Sequence, residues 1–68
     1  MPSNYLLNTE TGEIVATFPG PLTRLGALEV IAEEDGFGLG YAAVLRASRA
    51  YGGLNHLLLV CDDVEITE

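Results

Sequence analysis

The sequence predicts an α+β fold: a small antiparallel sheet of three to four strands, an N-terminal hairpin plus a C-terminal strand, packed on one or two helices. Three observations predict it. Two β-prone runs flank a polar loop near the N-terminus, a 3.6-residue apolar stripe runs through Pro21–Gly36, and a run apolar on both faces lies near the C-terminus. The chain has 68 residues, so residues 1–68 form a single domain. A core of this size is marginal, and the single cysteine, Cys61, offers no disulfide or zinc staple. Apolar residues nevertheless make up 49% of the chain, well above a disordered composition.

Tyr5-Leu6-Leu7 and Ile14–Phe18 flank Asn8-Thr9-Glu10-Thr11-Gly12-Glu13. The late glycine suits a type I turn with a G1 bulge. Strict alternation places Ile14, Ala16 and Phe18 on one face of their strand, and Tyr5 and Leu7 on one face of theirs. Phe18-Pro19-Gly20-Pro21 ends the hairpin.

Pro21–Gly36 is the clearest helix. Pro21 suits a first turn and Gly36 a left-handed C-terminal cap. Leu25, Leu28, Ile31 and Ala32 fall on one side, with Glu29, Glu33 and Glu34 on the other and Val30 away from the stripe. Gly26 weakens a helix by ~1 kcal/mol relative to Ala, which suggests close packing there. Glu33, Glu34 and Asp35 crowd the C-terminal end, where the macrodipole disfavours anions. They read either as a solvated face kept for solubility or as a patch that meets a basic partner.

Tyr41–Tyr51 reads as a helix or a strand. Alanine content favours helix, with Phe37, Tyr41, Val44, Leu45 and Tyr51 clustered and Arg46 and Arg49 opposite. Ser48 then sits in the apolar face and must bond back to the carbonyl at position 44. As a strand the alternation is poor, and the order becomes ββαββ. Gly52-Gly53 is a turn. Leu54–Cys61 reads as an interior strand, and Val64–Glu68 alternates as a half-buried one. Asp62-Asp63 between them is a bulge or the tip of a short hairpin.

The charge narrows the function. Ten acids face three arginines, Arg24, Arg46 and Arg49, for a net charge of -7. Direct nucleic-acid binding and anionic membrane surfaces are disfavoured, and a basic protein surface is the natural complement. Met1-Pro2-Ser3-Asn4 does not read as a signal peptide. The longest strongly apolar run, Leu57–Cys61, is too short to span a bilayer. The expectation is a soluble cytoplasmic protein.

No set of residues reads as an active site. Gly36, Gly38 and Gly40 give G-x-G-x-G, but after a predicted helix and three acids rather than after a strand, which suits an interhelix turn better than a phosphate cradle. His56 is the only histidine and, in a regular strand, points away from Cys61. Cys61 reads as a small buried hydrophobe. Asp62 and Asp63 diverge in a strand; turn chemistry explains them more simply than a loose divalent-cation site with Glu65. Arg46 and Arg49 form a basic spot that either neutralises Glu33, Glu34 and Asp35 or anchors an interface. The expectation is a non-enzyme without cofactor or metal.

By length, absence of lysine, a charge of -7 and a compact α+β outline, the chain resembles the small acidic inhibitors that phages make against bacterial defences, the anti-CRISPR proteins among them. These share no motif, so no residue role transfers. The resemblance implies that acidic side chains cover a basic, nucleic-acid-facing surface of a target complex in the host bacterial cytoplasm. The residues expected at such an interface are Glu29, Glu33, Glu34, Asp35, Asp62 and Asp63, with Arg46 and Arg49. A structural or regulatory homo-oligomer, such as a homodimer, is the alternative, motivated by high apolar content in a short chain.

Overall fold

The computed structural model describes residues 3–66. Strands β1 (Asn4–Asn8) and β2 (Ile14–Thr17) come first, then helices α1 (Arg24–Glu34) and α2 (Tyr41–Arg49). A single 3₁₀ turn (Leu54–His56) leads into β3 (Leu57–Cys61) and β4 (Val64–Ile66). The four strands form one sheet in the order β2-β1-β3-β4, antiparallel throughout. The α+β architecture therefore has two helices and four strands, and Tyr41–Arg49, open between helix and strand in the sequence, is a helix. No helix among the described residues is long and apolar enough to cross a membrane.

The core lies between one sheet face and the helices. Leu6 and Leu59 are register partners on the two central strands, and both are fully buried. Around them pack Leu57 and Cys61 from the sheet, Phe18, and Ala27, Leu28, Ile31 and Val44 from the helices. Cys61 is buried as expected of a small hydrophobe. Its register partner Asn4 is also buried, and the Asn4 side-chain oxygen has no hydrogen-bond partner among the described residues, an uncommon state for an interior oxygen.

The first hairpin departs from strict alternation. Leu6 pairs with Ala16 and Leu7 with Ile14, so Val15 is an extra residue and the register shifts between Leu6 and Leu7. The bulge sends Ile14, 49% exposed, to the face of Leu7, while Ala16 packs on the core and Phe18 is buried. The three predicted to share a face are thus divided, because one inserted residue reverses every side chain beyond it. Asn8 organises the connecting loop. Its side-chain oxygen accepts from the amides of Glu10 (3.0 Å) and Thr11 (3.4 Å), and its Nδ2 donates to the Tyr51 carbonyl (3.0 Å). Gly12 takes the left-handed conformation that the late position called for.

Helix α1 starts later than expected. Thr23 is its N-cap, and the Thr23 hydroxyl accepts from the Gly26 amide at 3.0 Å. Pro21 therefore precedes the cap instead of occupying the first turn, since a threonine oxygen satisfies an orphan amide that proline cannot. A Cβ at Gly26 would lie 3.0 Å from that same hydroxyl, so the glycine makes room for the cap, not for another element. The C-terminal end is a Schellman motif around Gly36 (φ 82°): Phe37 donates to the Ala32 carbonyl at 2.9 Å and Gly36 to that of Glu33 at 3.2 Å.

The buried stripe of α1 is Ala27, Leu28, Ile31 and Ala32, and Leu25 is 49% exposed. At 100° per residue the midline of that stripe passes within about 10° of Arg24 and about 90° from Leu25. Arg24 uses this inward position to donate through Nε to the Leu57 carbonyl (3.2 Å) and through Nη2 to the Leu54 carbonyl. The first inward site is thus filled by an arginine that satisfies two carbonyls, and the leucine beside it is turned out. Val30 is half-buried against the core instead of on the polar side.

Helix α2 buries Ala43, Val44, Ala47 and Ser48. Ala32, Ala43 and Ala47 form a separate seam between the helices, where small side chains permit a short interaxial distance. Close approach selects the alanine face over the one with the largest residues. Tyr41 is consequently 62% exposed and Phe37 38%, not clustered in the core with Val44, while Leu45 and Tyr51 are half-buried. The Ser48 hydroxyl donates to the Leu45 carbonyl at 2.9 Å, three residues back, not to that of Val44.

Strand β3 starts at Leu57, three residues later than expected, because Leu54–His56 is wound into the 3₁₀ turn. It is interior, as its two-faced apolar run predicts, with β1 on one side and β4 on the other. Asp62 (φ 50°) and Asp63 (φ 65°) form a two-residue turn between the paired Cys61 and Val64. The chain therefore folds back there as a hairpin, with positive φ at both central positions as a type I′ turn requires. Thr67 and Glu68, the end of the expected last strand, lie outside the described residues.

Candidate protein-interaction site

The acidic end of α1 is left open. Glu29, Glu33, Glu34 and Asp35 are all exposed, and no basic residue lies in the last turn of the helix. Among the described residues the only contact between a carboxylate and a basic side chain at ion-pair distance is Glu10 Oε2 with His56 Nε2, at 3.6 Å, and no arginine makes one. Arg46 and Arg49 are exposed on α2 and pair with no carboxylate among the described residues, so they do not neutralise Glu33, Glu34 or Asp35. Among the described residues the Asp35 carboxylate has one partner, the Tyr51 hydroxyl, which donates to its Oδ2 at 2.9 Å. That bond, with burial and the negative charge of Asp35, raises the Tyr51 pKa above its ordinary value.

The acids run directly into an apolar loop. From Gly36 to Gly40 the glycines at alternate positions all take positive φ, and between and after them stand Phe37, Leu39 and Tyr41, which are 38%, 78% and 62% exposed. Read as a helix, the sequence clusters Phe37 and Tyr41 on one side with Val44 and makes no assignment for Leu39. The pattern itself carried the signal: a lone apolar residue between two glycines belongs to no periodic face and has no neighbours to be buried with. The glycine run connects the two helices, and three carboxylates immediately precede it.

The remaining candidates are dispersed. Asp62 and Asp63 are exposed at the tip of the β3–β4 hairpin, a separate element from the end of α1. Because Asn4 pairs with Cys61 and Asn8 with Leu57, this tip is at the opposite end of the sheet from Glu10 and Glu13. The eight residues expected at one interface thus divide between the helices and the hairpin tip. No group of three or more His, Cys, Asp or Glu among the described residues is placed to hold a metal ion, so Asp62, Asp63 and Glu65 are not drawn together. His56 precedes β3 and faces Glu10, whereas Cys61 is buried at the other end of that strand.

The chain matches no protein family, no curated protein and no solved structure. What it can do therefore rests on its own surface. Exposed carboxylates beside exposed aromatic and aliphatic side chains combine long-range attraction for a cationic surface with residues that gain by desolvation on contact.

Proposed function

We propose that the chain is a non-catalytic protein-binding module that docks the acidic end of α1 and the adjoining loop on a basic surface of a larger complex. One observation carries this: Glu33, Glu34 and Asp35 are exposed, with no arginine paired to them among the described residues, next to the exposed Phe37 and Leu39. Carboxylates placed against a helix dipole cost stability, and a binding role accounts for their retention. Arg46 and Arg49 serve as contacts at the rim. Asp62 and Asp63 contribute to the field that steers association. Where the target surface normally holds nucleic acid, docking blocks it, as the resemblance to anti-CRISPR and related phage inhibitors implies; the site of action is then the host bacterial cytoplasm.

The test is affinity capture from the host with tagged wild-type protein and with a variant carrying Glu33→Lys, Glu34→Lys and Asp35→Lys. The proposal expects a basic, nucleic-acid-binding protein to be retained by the wild type, released by nucleic acid, and lost from the variant while circular dichroism stays unchanged. Equal retention by both proteins eliminates it. Association should also slow as salt rises.

A further inference from the structure

The peptide bond between Leu39 and Gly40 is barely tied to the rest of the fold. Every residue from Glu33 to Ala42 is exposed, and Leu39 is 78% exposed. Among the described residues, the amides of Gly38, Leu39 and Gly40 donate no hydrogen bond and the Leu39 carbonyl accepts none. A Cβ placed on Gly38 or on Gly40 would meet no atom within 4 Å, so the backbone stands clear of the molecule on both sides of Leu39. Both glycines hold positive φ, yet glycine takes extended conformations about as readily. The segment can therefore straighten without dislodging a buried side chain. Other exposed stretches are better held. The β1–β2 loop is fastened through Asn8 and Thr9, and the turn after Tyr51 is closed by the amides of Gly52 and Gly53.

We propose that Leu39–Gly40 is a cleavage site for endopeptidases that seat a large apolar side chain, and that the cut chain stays assembled. Exposed loop tips with small residues are where native proteins are nicked. Phe37 and Tyr41 are poorer sites, because the Phe37 amide is engaged by the Ala32 carbonyl and Tyr41 belongs to α2. Hydrolysis adds one water. The bond from the Leu39 carbonyl carbon to the Gly40 nitrogen breaks, the carbon takes the water oxygen as a carboxylate, and Gly40 gains a free ammonium.

The cut falls between two halves that meet throughout the fold. Residues 1–39 supply β1, β2 and α1, and residues 40–68 supply α2, β3 and β4. Their junction runs through the middle of the sheet, where β1 pairs with β3 along its whole length, and between the helices at Ala32, Ala43 and Ala47. Polar contacts cross it as well: Arg24 to the Leu54 and Leu57 carbonyls, Asn8 to that of Tyr51, Thr9 to that of His56, and Tyr51 to Asp35. None of them passes through residues 37–40. Neither half encloses a core alone, since Leu6 and Leu59 are register partners across the junction. Each fragment therefore folds only on the other, and their assembly depends on concentration as in any complex of two chains.

Limited digestion of the free full-length chain with subtilisin, read by mass spectrometry, tests this. The first products should be residues 1–39 and 40–68. Leu39→Asp, at an exposed position, should slow that cut about tenfold or more with circular dichroism unchanged. At about 100 µM the quenched digest should elute in size exclusion as one folded species holding both fragments, and its thermal midpoint should fall on dilution to about 1 µM while that of the intact chain stays put. A first cut elsewhere, resistance of the native wild type, or an equal rate in Leu39→Asp overturns the site. Separate elution of the fragments, or loss of the folded signal at the higher concentration, overturns the assembly.

Discussion

The hydroxyl of Tyr51, just past the end of α2, donates to the carboxylate of Asp35, the C-cap of α1, at 2.9 Å. The bond closes one corner of the helix pair and leaves Glu33 and Glu34 as the free acids of that corner. It also sets a pH response. The folded-state pKa of Tyr51 lies above its unfolded value, so its contribution to stability is complete below about pH 10 and is lost as pH rises through the folded value. Tyr51→Phe should remove a phenolate that ionises above the ordinary tyrosine value from the absorbance titration and lower stability by about 1 kcal/mol or less at neutral pH. Loss of a component at or below the ordinary tyrosine value contradicts the assignment.

Arg24 ties α1 to the start of β3. Arg24→Met keeps much of the aliphatic stem and removes the donors to the Leu54 and Leu57 carbonyls; it should cost about 2 kcal/mol in urea unfolding. Arg24→Lys should recover little of this, because one ammonium does not reproduce two directed donors of a planar fork.

Thr23 and Gly26 are coupled. Thr23→Ala should cost about 1 kcal/mol by losing the cap. Gly26→Ala should gain little in the wild type, because its Cβ would crowd the Thr23 hydroxyl, yet should stabilise by up to about 1 kcal/mol once that hydroxyl is gone. A double-mutant cycle reads the coupling directly; additive effects would show that the contact is slack.

Asp63 holds a φ of 65° that most side chains avoid. Asp63→Gly should raise stability by about 0.5 kcal/mol, given the preference of type I′ turns for glycine at their second central position. Asp63→Val should lower it by at least 1 kcal/mol. Thermal unfolding distinguishes the two outcomes.

Leu39 is 78% exposed, so Leu39→Ser should change stability by no more than about 0.5 kcal/mol. At a desolvated anchor the same change should weaken partner binding at least tenfold, about 1.4 kcal/mol. Undiminished binding would remove the loop from the interface.

The elements were legible where one periodicity dominated. The two-faced run Leu57–Cys61 identified the interior strand, and the Leu28–Ile31 spacing with Gly36 behind it identified α1 and its end. Finer features were hidden by short-range events that a pattern does not weigh. A single bulge at Val15 reversed Ile14. An inward arginine displaced Leu25. An alanine seam, chosen for close approach, expelled Tyr41 from the core. The exposed acids of α1 were visible from their position against the dipole. The apolar loop beside them was not, because a helical reading clusters Phe37 and Tyr41 with Val44 on one side.

The two central strands come from opposite ends of the sequence: Leu6 meets Leu59, more than fifty positions later. The first hairpin and both helices leave the ribosome before the strand that completes their shared interior exists. Until then Leu6, Leu28 and Val44 can gather only loosely. The fold must wait for β3 before it can acquire a defined shape, and a nascent form halted before Leu57 should be a ready client for chaperones.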